Sequence, residues 1–226
     1  MQHYDAILSS IELFKELQED QLARVMQITT EYRFVRGDCI FMEGQPRDYV
    51  YFIVRGLVKI YRVDHEGREH IVNVLGRGQM FPHVGFFDDR PYPGTAEALT
   101  SVILYGIASH KFEQVLIDDP RIARSVMRMM GKMILTLQGK LREMVLFDAR
   151  ERVYALLRHF AQEVGTEMQD GIHFKMPITH TEIANMIGIS RESVNRIWND
   201  LRRVGTVTGD KEEWVLQNQF FDEISR

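Results

Sequence analysis

The spacing of hydrophobic positions changes character twice along the chain. In the first thirty residues Ile11, Leu13, Phe14, Leu17, Leu22 and Val25 recur at intervals that predict short amphipathic helices. From about residue 32 to residue 109, glycines punctuate short apolar or alternating runs at 39–42, 50–54, 57–63, 70–75 and 102–107, which read as strands. Asp64-His65-Glu66-Gly67 sits between two of these runs as a hairpin turn, and Gly56 and Gly76 mark two more. Short strands with regular turns predict a small β-barrel or sandwich.

After Pro120 the period becomes helical. Ala123, Met127, Met130, Ile134, Leu137, Leu141 and Met144 follow an unbroken alternation of four and three residues, the spacing of a two-stranded seam. Ile122, Val126, Met129 and Met133 form a second apolar edge on the same helix. One edge is therefore expected to pack on the barrel and the other on the same helix of a second copy. One wide core-facing stripe is the alternative, and strict four-three spacing favours the pair.

From Asp148 a further helix runs through Arg152, Val153, Leu156, Leu157 and Phe160, and a different pattern follows it. Thr179 with Glu182 three residues on forms a capping box, so a helix starts there. Ile183, Ala184 and Ile187 share one face of it, and Gly188 permits a turn. Ser190 caps a second helix with Val194, Ile197, Trp198 and Leu201 inward. That is the spacing of a helix-turn-helix, and it leaves Arg191, Glu192, Asn195 and Arg196 facing outward. Arginine donates a bidentate pair to guanine in the major groove and glutamate accepts from the cytosine amino group, which suits a G/C-containing half-site. A charged helix face alone is ordinary solvated surface. The capped first helix, the turn glycine and the core positions together are what point to base reading. Thr206-Val207 and Trp214-Val215-Leu216, set around Gly209-Asp210, predict a closing hairpin that serves as a wing.

Charge changes the picture only locally. The net charge of −4 gives no general attraction to nucleic acid, so affinity has to come from clusters. Arg121, Arg124, Arg128, Lys132, Lys140 and Arg142 occur without an intervening acid, and Arg191, Arg196, Arg202 and Arg203 gather around the second helix. Cys39 is the one cysteine, which excludes an intrachain disulfide, a four-cysteine iron-sulfur cluster and a cysteine-based zinc site; a buried, inert thiol is expected. No apolar run is long enough to span a bilayer, and Met1-Gln2-His3-Tyr4-Asp5 does not read as a signal peptide, so a cytoplasmic protein without membrane contact is expected. The histidines show no close pair with a downstream carboxylate, so no metal site and no catalytic residue is assigned.

In this order of parts, nearly the whole chain resembles the cyclic-AMP receptor protein and FNR (CRP/FNR) family of bacterial transcription regulators, most specifically at Ile189-Ser190-Arg191-Glu192-Ser193-Val194-Asn195-Arg196. The resemblance implies an α+β chain: a cyclic-nucleotide-binding-like β-roll over residues 1–119, a dimerisation helix over 120–147 and a winged helix-turn-helix over 148–226. It implies a homodimer that reads an inverted repeat resembling TGTGA-N6-TCACA in double-stranded DNA, with Arg191 and Arg196 on guanines and Glu192 on the opposing cytosine. Thr179, His180, Thr181, Ser190 and Ser193 fall where the family contacts phosphates, and RNA polymerase is an implied partner. The sensor end departs from the pattern. Pro82-His83 stands where the cyclic-AMP branch has a Gly-Glu for the ribose, and Pro93-Gly94 where it has an Arg-Ser for the cyclic phosphate, so weak or no cyclic-AMP binding is expected. Phe81, His83, Arg90, Tyr92 and Thr95 remain as a candidate pocket for an unknown small-molecule effector, with Arg90 the group to meet an anion. Haem is a weaker reading, with His83 as its axial ligand. Two rivals stand beside this: a β-roll module that regulates a protein partner, which would have no use for an Arg-Glu-x-x-x-Arg helix and a wing, and a metal-dependent β-barrel enzyme.

Overall fold

The computed structural model of the protein describes residues 11–14, 17–210 and 213–224, the side chains of 12, 140, 143–145 and 222–224 excepted. The chain divides into two compact units, residues 1–137 and 138–226. In the first, a single 3-10 turn at Glu12–Phe14 and helix α1 (Glu19–Gln27) precede eight strands. These are β1 (Thr29–Phe34), β2 (Cys39–Phe41), β3 (Tyr49–Arg55), β4 (Val58–Val63), β5 (Glu69–Leu75), β6 (Met80–Phe81), β7 (Thr95–Ala98) and β8 (Val102–Ala108), followed by α2 (Ser109–Asp118) and by α3 (Pro120–Leu146), whose last residues belong to the second unit. The strands make two antiparallel sheets, ordered β1-β8-β3-β6 and β2-β7-β4-β5.

Strand β3 shows why its sequence is apolar without alternation: both of its faces are covered. Tyr51 and Ile53 join Phe41, Val58, Leu75, Phe81, Tyr92, Ala96, Ala98, Val102 and Leu104 in the interior between the sheets. Val50 and Phe52 face the other way, into a second core with Ile11, Phe14, Leu22, Val25, Phe112, Leu116, Ile122 and Val126. The early amphipathic segment is thus a cap on the outer face of the roll, with Phe14 5.1 Å from Phe52, ring centre to ring centre. Gly106 in β8 is required by packing, since a Cβ there would come within 2.7 Å of the Tyr32 ring.

Helix α3 uses its two edges differently. Ile122 and Val126 are buried in the second core, with Ala123 and Met129 packed against it. Met127, Ile134, Leu137 and Leu141 stay exposed at 68%, 55%, 53% and 63%, and Met130 at 37%. The side chain of Met144 lies outside the described residues. Cys39 corrects one expectation. It is exposed, not buried, because β2 is an edge strand and Cys39 stands opposite Glu97 of β7. Desolvation and the Glu97 carboxylate push its thiol pKa up, which keeps it protonated and unreactive.

The second unit contains α4 (Ala149–Val164), β9 (Thr166–Met168), β10 (Gly171–Lys175), α5 (His180–Ile187), α6 (Arg191–Arg203), β11 (Val207–Asp210), β12 (Glu213–Gln217) and α7 (Asn218–Ile224). Its sheet runs β11-β12-β10-β9. Asp148 caps α4 in a full capping box with Glu151, which separates α3 from α4 at Phe147-Asp148. Gly209 and Asp210 are strand residues paired with Trp214 and Glu213.

Candidate nucleic-acid interface

Thr179 Oγ1 accepts from the Glu182 amide at 3.2 Å and the Glu182 carboxylate accepts from the Thr179 amide at 2.7 Å, so α5 starts where the capping box places it. Gly188 ends the helix in the left-handed region, φ 68° and ψ 42°, which turns the chain toward α6 at no steric cost. Arg152 of α4 donates from Nη1 to the carbonyl of Ile187 at 3.2 Å, satisfying one of the orphan acceptors at the end of α5. Ser190 then caps α6, accepting from the Ser193 amide at 3.1 Å.

The two helices close on Ile183, Ala184, Val194, Ile197, Trp198 and Leu201, all buried. Trp198 meets Trp214 of β12 edge-on at 4.7 Å and the His180 ring at 5.1 Å. Its Nε1 is buried without a hydrogen-bond acceptor among the described residues.

At ~100° per residue, Arg191, Glu192 and Arg196 fall within an arc of about 140° that excludes every buried position of α6. All three are exposed, and among the described residues none makes a hydrogen bond or ion pair, so their polar groups are free to meet base edges. Asn195 differs. It is only partly exposed, and its Oδ1 is hydrogen-bonded to Nδ1 of His180, so a predicted base reader and a predicted phosphate contact are joined within the protein. Sequence periodicity placed Asn195 on the outward face; it had no means of showing a partner fifteen residues away on another helix. Thr179 and Thr181 are exposed at the start of α5, while the Ser190 and Ser193 hydroxyls bond each other at 3.1 Å. Of the nearby cations, Arg203 pairs with Asp200 at 3.0 Å, and Arg202 lies over Trp214 at 6.0 Å with Nη2 donating to the Gly209 carbonyl at 3.4 Å. Arg202 thus ties the helix to the wing, while Arg203 pairs within the helix.

The candidate effector residues are not brought together in this way. Phe81 and Tyr92 lie in the interior of the roll, where Tyr92 stacks on Phe41 at 3.7 Å and 5° and its hydroxyl donates to the Tyr49 carbonyl at 3.0 Å. Thr95 Oγ1 accepts from the Glu43 amide at 3.1 Å. Arg90 points to solvent, 84% exposed, and pairs with Asp88 at 3.2 Å. The anion-compatible group that sequence reasoning missed is Arg47. Its side chain is 5% exposed beneath the 85–88 segment, with Nη2 donating to the carbonyls of Gly85 and Asp88 and the Glu113 carboxylate 3.5 Å away. Glu113 also accepts from the Phe87 amide at 3.0 Å. No sequence signal distinguishes this arginine from a surface one.

Burial pushes the pKa of His83 down from its ordinary 6.5 to about 4. Because the folded value is the lower, the unfolded chain binds the proton more readily between these limits. The contribution is therefore intact above about pH 6.5 and is lost as pH falls toward 4. Urea denaturation of the native protein should weaken more steeply between pH 7 and 4.5 than that of His83→Gln; superimposable pH profiles would show that His83 carries no such linkage.

Among the described residues no three His, Cys, Asp or Glu side chains converge as metal ligands, and no helix is long and apolar enough to cross a membrane.

Residues 31–119 match the profile of the Cyclic nucleotide-binding domain, and residues 151–218 that of the Crp-like helix-turn-helix domain. The chain is 30% identical over 214 residues to the Global nitrogen regulator of Synechococcus elongatus, covering 93% of each. It is 28% identical over 203 residues to the CRP-like cAMP-activated global transcriptional regulator of Mycobacterium tuberculosis, covering 90% of this chain and 91% of the relative. Among solved structures, FixK2 from Bradyrhizobium japonicum superposes with a TM-score of 0.74 at 22% identity, over 86% of this chain and 96% of that one, a likeness of fold.

Proposed function

We propose, since the chain belongs to the CRP/FNR family of transcription regulators, that it acts in the cytoplasm as a homodimer and reads an inverted repeat resembling TGTGA-N6-TCACA. The observation that carries the reading is the face of α6: Arg191, Glu192 and Arg196 exposed together, above a buried Val194, Ile197, Trp198 and Leu201. Arg191 and Arg196 serve as guanine donors and Glu192 as the cytosine acceptor. Thr179, His180, Thr181 and the Ser190-Ser193 pair take phosphates, which sets register without choosing sequence. The exposed stripe Met127, Met130, Ile134, Leu137 and Leu141 joins the two copies, with Ala123 and Met144 at its ends, and so spaces the reading helices for successive major grooves. Three functional parts follow: a sensor roll over 1–119, the dimer helix over 120–147 and the DNA-binding part over 148–226. RNA polymerase is the further partner.

The sensor residues do not fit a cyclic nucleotide. Pro82-His83 and Pro93-Gly94 offer neither the ribose carboxylate nor the phosphate cation, and Phe41 and Tyr92 stack in the interior of the roll. Regulation, where it operates, comes from a different effector or from protein concentration.

The test is binding to a duplex with the TGTGA repeat and to a scrambled duplex at fixed near-physiological salt, with and without cyclic AMP. Selective binding indifferent to the nucleotide supports both parts of the proposal. Selectivity that appears only with the nucleotide would overturn the reading of the sensor. Arg196→Ala should cost about 1–3 kcal/mol on the operator and relax preference at one base pair. A uniform loss on all DNA would instead make Arg196 a phosphate contact.

A further inference from the structure

We infer that His180 is a proton-controlled phosphate contact, held in its inactive neutral tautomer by Asn195, so that operator affinity rises as the solution is acidified. The inference rests on the helix-turn-helix reading above and adds to it a regulation that neither side chain implies alone.

The geometry is specific. His180 is the first residue of α5, its ring lies against Trp198 at 5.1 Å with a 49° tilt, and Nδ1 is bonded to Oδ1 of Asn195. An amide oxygen only accepts, so Nδ1 must carry the hydrogen. A neutral imidazole has one N–H. With that hydrogen committed to Asn195, Nε2 is a bare lone pair, and it makes no hydrogen bond among the described residues. A lone pair turned to a phosphate oxygen is repelled. Protonation at Nε2 converts it to a donor on a cation, and the same oxygen then receives a charge-assisted hydrogen bond. Asn195, with Oδ1 engaged, has its Nδ2 donors left for a base-edge acceptor such as guanine O6 or N7. The pair therefore also fixes which half of the Asn195 amide faces the groove.

The charges around the ring allow this. On its own helix Glu182 is engaged with the Thr179 cap. On α6, Arg191, Glu192 and Arg196 are exposed, and Asp200 is paired with Arg203. From α4, Arg152 reaches the opposite end of α5 at Ile187. None of these is hydrogen-bonded or ion-paired to the imidazole, so the phosphate itself is the anion that would draw the second proton on.

The experiment is fluorescence anisotropy of the full chain on the operator and scrambled duplexes from pH 5.5 to 7.5 at constant ionic strength. It compares the native protein with His180→Gln, His180→Lys and Asn195→Ala, each first checked for a native thermal transition. A phosphate contact made only by the charged ring couples uptake of one proton per subunit to binding, so affinity should rise on acidification by up to about tenfold per pH unit per subunit. The native salt slope should also steepen by roughly 1.8 for two contacts per dimer at the acid end. His180→Gln should lose the pH dependence, and His180→Lys should hold the high affinity at both ends. Asn195→Ala releases Nδ1, so the neutral ring can carry its hydrogen on Nε2, and the pH dependence should shrink whatever the absolute affinity. Equal pH profiles for the native protein and His180→Gln, with operator selectivity intact, overturn the inference and leave the reading-helix assignment standing. An undiminished pH dependence in Asn195→Ala overturns the tautomer mechanism. Absence of selectivity at every pH overturns the assignment on which it rests.

Discussion

Replacing both Ile134 and Leu137 by glutamate is expected to leave a folded monomer and to abolish operator binding at concentrations where the native dimer is saturated. Both side chains are more than half exposed in the single chain, so the folded monomer loses little; surface substitutions of this kind usually fall within about 0.5 kcal/mol. In a paired helix each would bury the half of its apolar surface still exposed, worth roughly 0.8–1.6 kcal/mol per side chain. A dimer loses four such contributions and gains four like charges along one seam, which costs more than a typical association can bear. Operator affinity then falls by well over a hundredfold, because one reading helix keeps only one half-site. Sedimentation equilibrium measures the first effect and anisotropy the second. A double variant that remains dimeric would mean that Met127 to Leu141 is not the seam, and that the exposed stripe on α3 has another use.

This stripe also shows what the sequence could and could not reveal. Four-three spacing separated the edge of Ile122 and Val126, which is buried, from that of Met127, Ile134 and Leu137, which is exposed, because a helix repeats every 3.6 residues. The capping box at Thr179 and the left-handed Gly188 were equally legible, since both are local: a hydroxyl, a carboxylate and a missing Cβ act within one turn of chain. Strands β1, β6, β7, β9 and β10 and helix α2 left no such mark. Thr95–Ala98 is held between β2 and β4 by pairing partners far along the chain, and its own residues, Thr-Ala-Glu-Ala, carry no strand pattern. Arg47 and the His180-Asn195 pair escaped for the same reason: each is defined by a partner brought up in space. Cys39 was misread because a small apolar residue in a strand is usually inside, and only sheet order reveals an edge.

The largest loss of stability is expected at Trp198. It is 2% exposed and joins the two helices to the wing through His180 on one side and Trp214 on the other. Trp198→Ala removes the largest side chain of this small core and leaves a cavity that α5 and β12 cannot both collapse into, at a cost of about 3–5 kcal/mol. Since α6 is positioned by this contact, specific DNA binding should disappear with it. Trp198→Phe separates volume from polarity. Phenylalanine keeps much of the packing and removes Nε1, a buried donor with no acceptor among the described residues. A buried, unsatisfied N–H costs about 1–3 kcal/mol, so deleting it offsets part of the lost contact. The phenylalanine variant should therefore retain most of the native stability, well above the alanine variant. Calorimetry of the full chain reads this as a downward shift in the unfolding temperature. If Trp198→Phe is as damaging as Trp198→Ala, Nε1 has a partner that the folded protein supplies, and the indole is held for its hydrogen bond as well as its bulk.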